Sequence, residues 1–197
     1  MKHRYEKTEL PDIPWESALC LTGHRPEKLP RGEVLSGLTE ALKYYLWQAL
    51  QIGYTCYFTG LADGVDYIAS DYLFRLREYN PQIRVIGVQP CTDYEQFFLR
   101  RGYDPGHLQR MLDNVDKLIV LPGSSEDREI FLKRDRFMAD HSSAILAVCE
   151  DGRSGSMFTF SYAKKLGLAY CRLFPTPSGG IIPAPQDWHI EQRGFLR

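Results

Sequence analysis

Tyr54-Thr-Cys-Tyr-Phe-Thr59-Gly60-Leu-Ala-Asp-Gly64-Val65-Asp66 opens on β-branched and aromatic residues, breaks at a glycine and passes into helical spacing. It reads as a strand, a tight turn and the start of a helix. The helix runs from Val65 to Tyr79 through Ile68, Ala69, Tyr72, Leu73 and Leu76. Upstream the same unit occurs once more. Ser17 to Thr22 is a short apolar strand stopped at Gly23, and from Gly32 to Ile52 apolar residues recur three and four apart until Gly53 closes that helix. Downstream the alternation continues. Strands are predicted at Ile83–Val88, Lys117–Leu121, Ala144–Cys149 and Ala169–Phe174, with helices at Asp93–Leu99, His107–Asn114, Glu126–His141 and Ser156–Leu166. Strands alternating with helices predict an α/β fold, a single domain whose mostly parallel six- or seven-stranded sheet carries helices on both faces. The strands read as continuous apolar runs, as expected of strands covered on both sides.

Composition fits that picture. The chain has 197 residues, 44% of them hydrophobic, and 24 Lys and Arg against 25 Asp and Glu leave a net charge of -1. One domain with one sizeable core is expected at this length. Residues 1–16 read as an N-terminal extension, 17–174 as the domain, and 175–197, rich in Pro and Gly, as a tail on the surface. The near-neutral charge argues against a polyanion-coating or membrane-attracted surface. No apolar run approaches the roughly 18 residues of a membrane span, and the polar N-terminus carries no secretory signal, so a cytoplasmic protein is predicted. Cys20, Cys56, Cys91, Cys149 and Cys171 form no C-x-x-C pair and read as buried reduced thiols, with Cys20, close to His24 and Arg25, the one candidate for a reactive thiol. His3, His24, His107, His141 and His189 are scattered without ligand spacing, so no metal is predicted.

In an open parallel sheet ligands bind beyond the carboxyl ends of the strands, so the strand-to-helix turns are the places to look. Three carry glycine and polar donors. After the first strand, Thr22, Gly23, His24 and Arg25 offer donors suited to phosphate or carboxylate. After the second, Gly60, Ala62, Asp63, Gly64 and Asp66 give a turn whose backbone can approach an anion, while Asp63 and Asp66 can equally cap the helix that follows. Before the last helix, Gly152-Arg153-Ser154-Gly155-Ser156 repeats the logic, with Gly155 and Ser156 at the helix start. In the helix before the fifth strand, Arg134 shares a face with Met138 and Phe131, and Arg136 points elsewhere. An arginine among packing residues suggests an anion partner, or a side chain snorkelling from the core edge.

These motifs bring a family into view. Thr59 to Asp66 resembles the Gly-x-Ala-x-Gly-Ile-Asp motif of the DprA/Smf proteins. Arg134-Asp-x-x-Met138, followed by Ser142-Ser-Ala144, resembles the Arg-Lys-x-x-Met and Ser-Asp-Ala of the LOG phosphoribohydrolases. With Thr22-Gly-His-Arg-Pro26, the pattern resembles the SLOG superfamily of Rossmann-like proteins, and within it the uncharacterised YpsA-type branch. The resemblance implies a pocket for a nucleotide or nucleotide-derived ligand of the ADP-ribose, NAD or nucleoside phosphate type, no required cofactor, and a homodimer. It also implies departures. LOG enzymes carry a glutamate where this chain has Thr159, and a hydroxyl does not replace a carboxylate in proton transfer near neutral pH. Asp135 stands where LOG has lysine.

The leading expectation is a binding or sensing module in which the glycine turns cradle phosphate, Arg25 and Arg134 neutralise it, and His24 bonds phosphate or ribose. Hydrolysis of a nucleotide N-glycosidic bond is the enzymatic alternative, with Asp66 or Asp63 supplying the carboxylate and Arg134 beside it. Single-stranded nucleic-acid binding of the DprA kind is the third, disfavoured by the balanced charge because such grooves are basic.

Overall fold

The computed structural model describes residues 10, 12–127, 129–175 and 181–183. The strands are β1 Ala18–Gly23, β2 Cys56–Thr59, β3 Arg84–Gln89, β4 Lys117–Val120, β5 Ala144–Val148, β6 Ala169–Pro175 and β7 Ile181–Pro183. The helices are α1 Glu33–Gln51, α2 Val65–Arg77, α3 Tyr94–Arg100, α4 Pro105–Asn114, α5 Ile130–Asp140 and α6 Gly155–Lys165. The strands form one sheet in the order β4-β3-β2-β1-β5-β6-β7. All neighbours are parallel except β6 and β7. From β1 the chain winds outward to β4, then returns to add β5 on β1's other side, so the strand order reverses between β1 and β5. This is an α/β Rossmann-like sheet, as the alternation of periods implied.

Alternation within the strands divides the apolar residues between two cores rather than one. Leu19, Leu21, Tyr57, Val85, Leu146 and Leu173 face α1 to α4, against Leu42, Leu46, Ala69, Leu73 and Met111. Cys20, Phe58, Ile86, Ile145 and Ala147 face the other way, against Phe137, Met138, Phe160 and Ala163 of α5 and α6. A sheet covered on both faces must separate two apolar layers, because successive side chains point to opposite sides.

Three features differ from the sequence reading. The helix expected from Glu126 begins at Ile130, because the segment before it folds as a turn in which Ser125 is bonded to Asp93 through both its amide, at 2.8 Å, and its hydroxyl, at 2.6 Å. β4 is not covered on both sides: at the sheet edge Leu118 and Val120 are 43% and 44% exposed. β7 lies within the stretch read as a tail and pairs with β6 through Leu173 and Pro183, Phe174 and Ile182, and Pro175 and Ile181. No described helix is long and apolar enough to cross a membrane. The five cysteines are buried and free, and burial, reinforced by the charges of Asp135 and Asp66, raises the Cys20 thiol well above its ordinary value, so it is no reactive thiolate.

Candidate ligand-binding cleft

Where β1 and β5 part company a cleft of about 180 Å3 opens at their carboxyl ends. Its lining brings together Thr22, Gly23, His24, Arg25, Ala62, Asp66, Arg134, Gly155 and Ser156 of the residues singled out from the sequence. Gly60, Asp63 and Gly64 stand behind it. Phe131 and Met138, read as sharing a face with Arg134, line it too, along with Glu27, Lys28 and Ser154.

His24 is buried, and both ring nitrogens have protein partners. The Glu150 amide donates to Nε2 at 3.2 Å, which leaves Nδ1 to carry the proton and donate to Ser156 Oγ at 3.2 Å. Burial, with the positive charge of Lys28, lowers its proton affinity and keeps the ring neutral. Its backbone is committed as well, since His24 N donates to Val148 O at 3.1 Å and Val65 N to His24 O at 3.2 Å. His24 therefore ties β1, β5, α2 and α6 together at the base of the cleft, and the expected bond from its ring to phosphate or ribose is not free to form without giving up one of these.

The second turn behaves differently from a phosphate cradle. Asp66 Oδ2 accepts from Gly60 N at 3.0 Å and Ala62 N at 3.4 Å, Thr59 Oγ1 from Leu61 N at 3.3 Å, and Asp63 Oδ1 from Gly64 N at 2.8 Å. These amides are satisfied within the turn, leaving none of them to an anion. Asp66 does reach back as a capping carboxylate would, though to the turn rather than to the residue that caps the helix, Gly64. Glycine is required there: its φ is +92°, and a Cβ would lie 2.6 Å from His24 O. Asp63 faces away from the cleft, pairing with His107 Nδ1 at 2.8 Å, whose ring stacks on Tyr67. Burial pushes the Asp66 carboxyl up to about 6, against the pull of Arg134 and of the Ala62 and Gly60 amides.

Arg134 is buried and locked. Nε and Nη2 donate to Asp135 Oδ1 at 3.1 and 2.8 Å, and Nη1 donates to Gly60 O at 2.8 Å. Gly60 has to lack a side chain, because a Cβ there would lie 2.7 Å from the guanidinium carbon. Burial opposes the charge of Arg134, but Asp135, Tyr94 and Asp66 outweigh it and hold the guanidinium firmly protonated. Asp135 was not among the residues predicted to matter. Its Oδ2 accepts from Thr159 Oγ1 at 2.9 Å, so the threonine at the LOG glutamate position orients the carboxylate that orients the arginine. Arg136 lies over the Phe158 ring instead, 5.2 Å from its centroid.

Arg25 sits among three rings, its guanidinium carbon 5.8, 5.6 and 5.5 Å from the centroids of Phe97, Tyr103 and Phe131, and Nη1 donates to Tyr103 Oη at 3.1 Å. Arg134 lies 5.8 Å from the same Phe131 centroid, so one aromatic ring carries both cations at the cleft. On the opposite wall α6 begins. Ser154 caps it, accepting from Met157 N at 3.1 Å, and the Gly155 and Ser156 amides have no acceptor among the described residues. A helix start whose amides have no protein acceptor and which faces a cleft suits an anion.

A family model described as the YspA SLOG family (YpsA) matches residues 19–167. The chain belongs to that SLOG family. The match runs from β1 into the turn after α6, and so takes in every residue that lines the cleft. The uncharacterised SPbeta prophage-derived protein YoqJ of Bacillus subtilis (strain 168) is 29% identical over 133 residues, covering 60% of this chain and 76% of that protein. Among solved structures, DNA processing protein A (DprA) of Streptococcus pneumoniae superposes with a TM-score of 0.53 at 17% identity over 88% of this chain. The chain spans only 56% of that protein's length. DprA of Helicobacter pylori, whose structure was described for its single-stranded DNA binding mode, gives 0.53 at 20% identity over 96% of this chain and 77% of its own. At these identities the likeness is one of fold.

Proposed function

We propose that this SLOG domain binds a small phosphorylated, nucleotide-derived ligand, with its phosphate at the first turn of α6. The observation that carries the reading is the pair of uncommitted amides, Gly155 and Ser156, at the strand-order reversal, facing a cleft that Lys28 and Arg25 also line. Arg134 contributes less charge than its position suggests, because Asp135 already faces it. Two of its five N–H groups remain uncommitted for a ligand. The lining as a whole sets Arg25, Lys28 and Arg134 against Glu27, Asp66 and Asp135. That balance favours one small anion held by directed hydrogen bonds over the long phosphate backbone of nucleic acid.

Isothermal titration with nucleoside monophosphates, nucleoside diphosphates, NAD and ADP-ribose tests it. At least one is expected to bind, and Lys28→Glu is expected to weaken that binding about tenfold or more, the loss of one charge-assisted contact. No binding across the panel overturns the reading, as does an unchanged affinity in Lys28→Glu. Hydrolysis of the N-glycosidic bond is the second reading, drawn from Asp66, a buried carboxyl raised to about 6 on the cleft wall. Free base appearing on incubation with the bound nucleotide separates turnover from sensing. A gel shift of single-stranded DNA at low salt would instead favour the activity described for the Helicobacter protein. A cytoplasmic homodimer belongs to the same proposal, and light scattering on the purified chain tests the oligomer.

A further inference from the structure

We propose that Asp66 Oδ1 accepts a hydrogen bond from a ribose hydroxyl of the bound nucleotide, so that the cleft takes ribonucleotides in preference to deoxy forms. The inference rests on the nucleotide reading above and goes beyond it by assigning the sugar.

Asp66 is 4% exposed and lines the cleft, yet its two oxygens are used unequally. Oδ2 accepts both turn amides, while Oδ1 has no partner among the described residues. The neighbouring Arg134 guanidinium makes no hydrogen bond to it, its bonds going to Asp135 and to Gly60 O. Oδ1 opens on the cleft, and a ligand that covers it without bringing an O–H or N–H to this point leaves a carboxylate oxygen unpaired, which is costly. A phosphate is excluded from the position by like charge. With the phosphate placed at the Gly155 and Ser156 amides, the next group along a nucleotide is the sugar, whose hydroxyls are uncharged donors. Phe131 and Met138 line the same cleft and offer the base an apolar surface.

The test is titration of the intact protein with AMP, ADP, GMP and GDP beside their 2′-deoxy and 3′-deoxy forms. One deoxy series is expected to bind about tenfold or more weakly, the worth of one hydrogen bond to a charged group. Asp66→Asn, whose oxygen stays with the Gly60 and Ala62 amides, turns its NH2 to the cleft in place of a charged acceptor and is expected to reduce the ribose preference severalfold. Equal affinities for all three sugars in the unaltered protein overturn the inference and leave the nucleotide reading standing. A ribose preference undiminished in Asp66→Asn assigns the selection to another residue and overturns it too. If none of the panel binds, the nucleotide reading falls first and this inference with it.

Discussion

Asp66 carries a consequence for stability that is separate from any ligand. Its carboxyl stands near 6 in the fold, above the ordinary aspartate value of about 3.9, so between those limits the folded chain holds a proton that the unfolded chain releases. The resulting stabilisation is complete below about pH 4 and is lost as pH rises through about 6, an effect of about 3 kcal/mol. Asp66→Asn, of the same shape but without the charge, should match the parent's thermal midpoint near pH 4 and exceed it increasingly up to pH 7. A difference that stays flat across that range would show that Asp66 is not destabilised by burial. His24 works with the opposite sign in both proteins, since a ring held neutral by burial loses stability as acid protonates it, and it cancels from the comparison. The charges of these residues were readable in the sequence and their partners were not. Asp63 and His107 are 44 positions apart and meet only because α2 packs on α4. Arg134 and Asp135 are adjacent, a spacing at which helical side chains do not normally face each other, and they meet because the guanidinium turns back between Gly60 and its neighbour.

At the scale of elements, two hydroxyls link α5 and α6: Tyr162 Oη donates to Asp140 Oδ1 at 2.9 Å, and Thr159 makes the more buried link. Thr159 donates to Asp135 Oδ2 at 2.9 Å, also lies 2.9 Å from Gly155 O, and is fully buried. Thr159→Val keeps the shape and removes the donor, leaving a buried carboxylate oxygen unpaired, and should cost about 1–3 kcal/mol in urea unfolding. Thr159→Ser should retain most of that. If both variants are as stable as the parent, the Thr159 bond between the helices has no energetic weight. The elements themselves were largely legible, because apolar runs closed by glycine alternate with helical spacing from β1 to β6. What escaped was local: β7 sits in a stretch whose prolines and glycines carry no periodic pattern, and the late start of α5 depends on Ser125 reaching Asp93, 32 residues away.

For the whole molecule, two apolar layers share one sheet, and every central strand contributes to both. Neither layer keeps its strands if the other is lost, so the two should fail together. Leu46→Ala on the α1 side and Ile145→Ala on the α6 side should each cost about 2–5 kcal/mol while leaving a single transition, coincident by circular dichroism and by tryptophan fluorescence. A second transition in either variant would mean that the faces come apart independently. The reversal of strand order also has a consequence in time. β1 is made early, but its partner β5 begins at Ala144 and the cleft is closed by Ser156, more than a hundred residues after Thr22. During synthesis the first wall of the cleft therefore emerges long before the second, and a ligand held between them contributes nothing to folding until the start of α6 has left the ribosome.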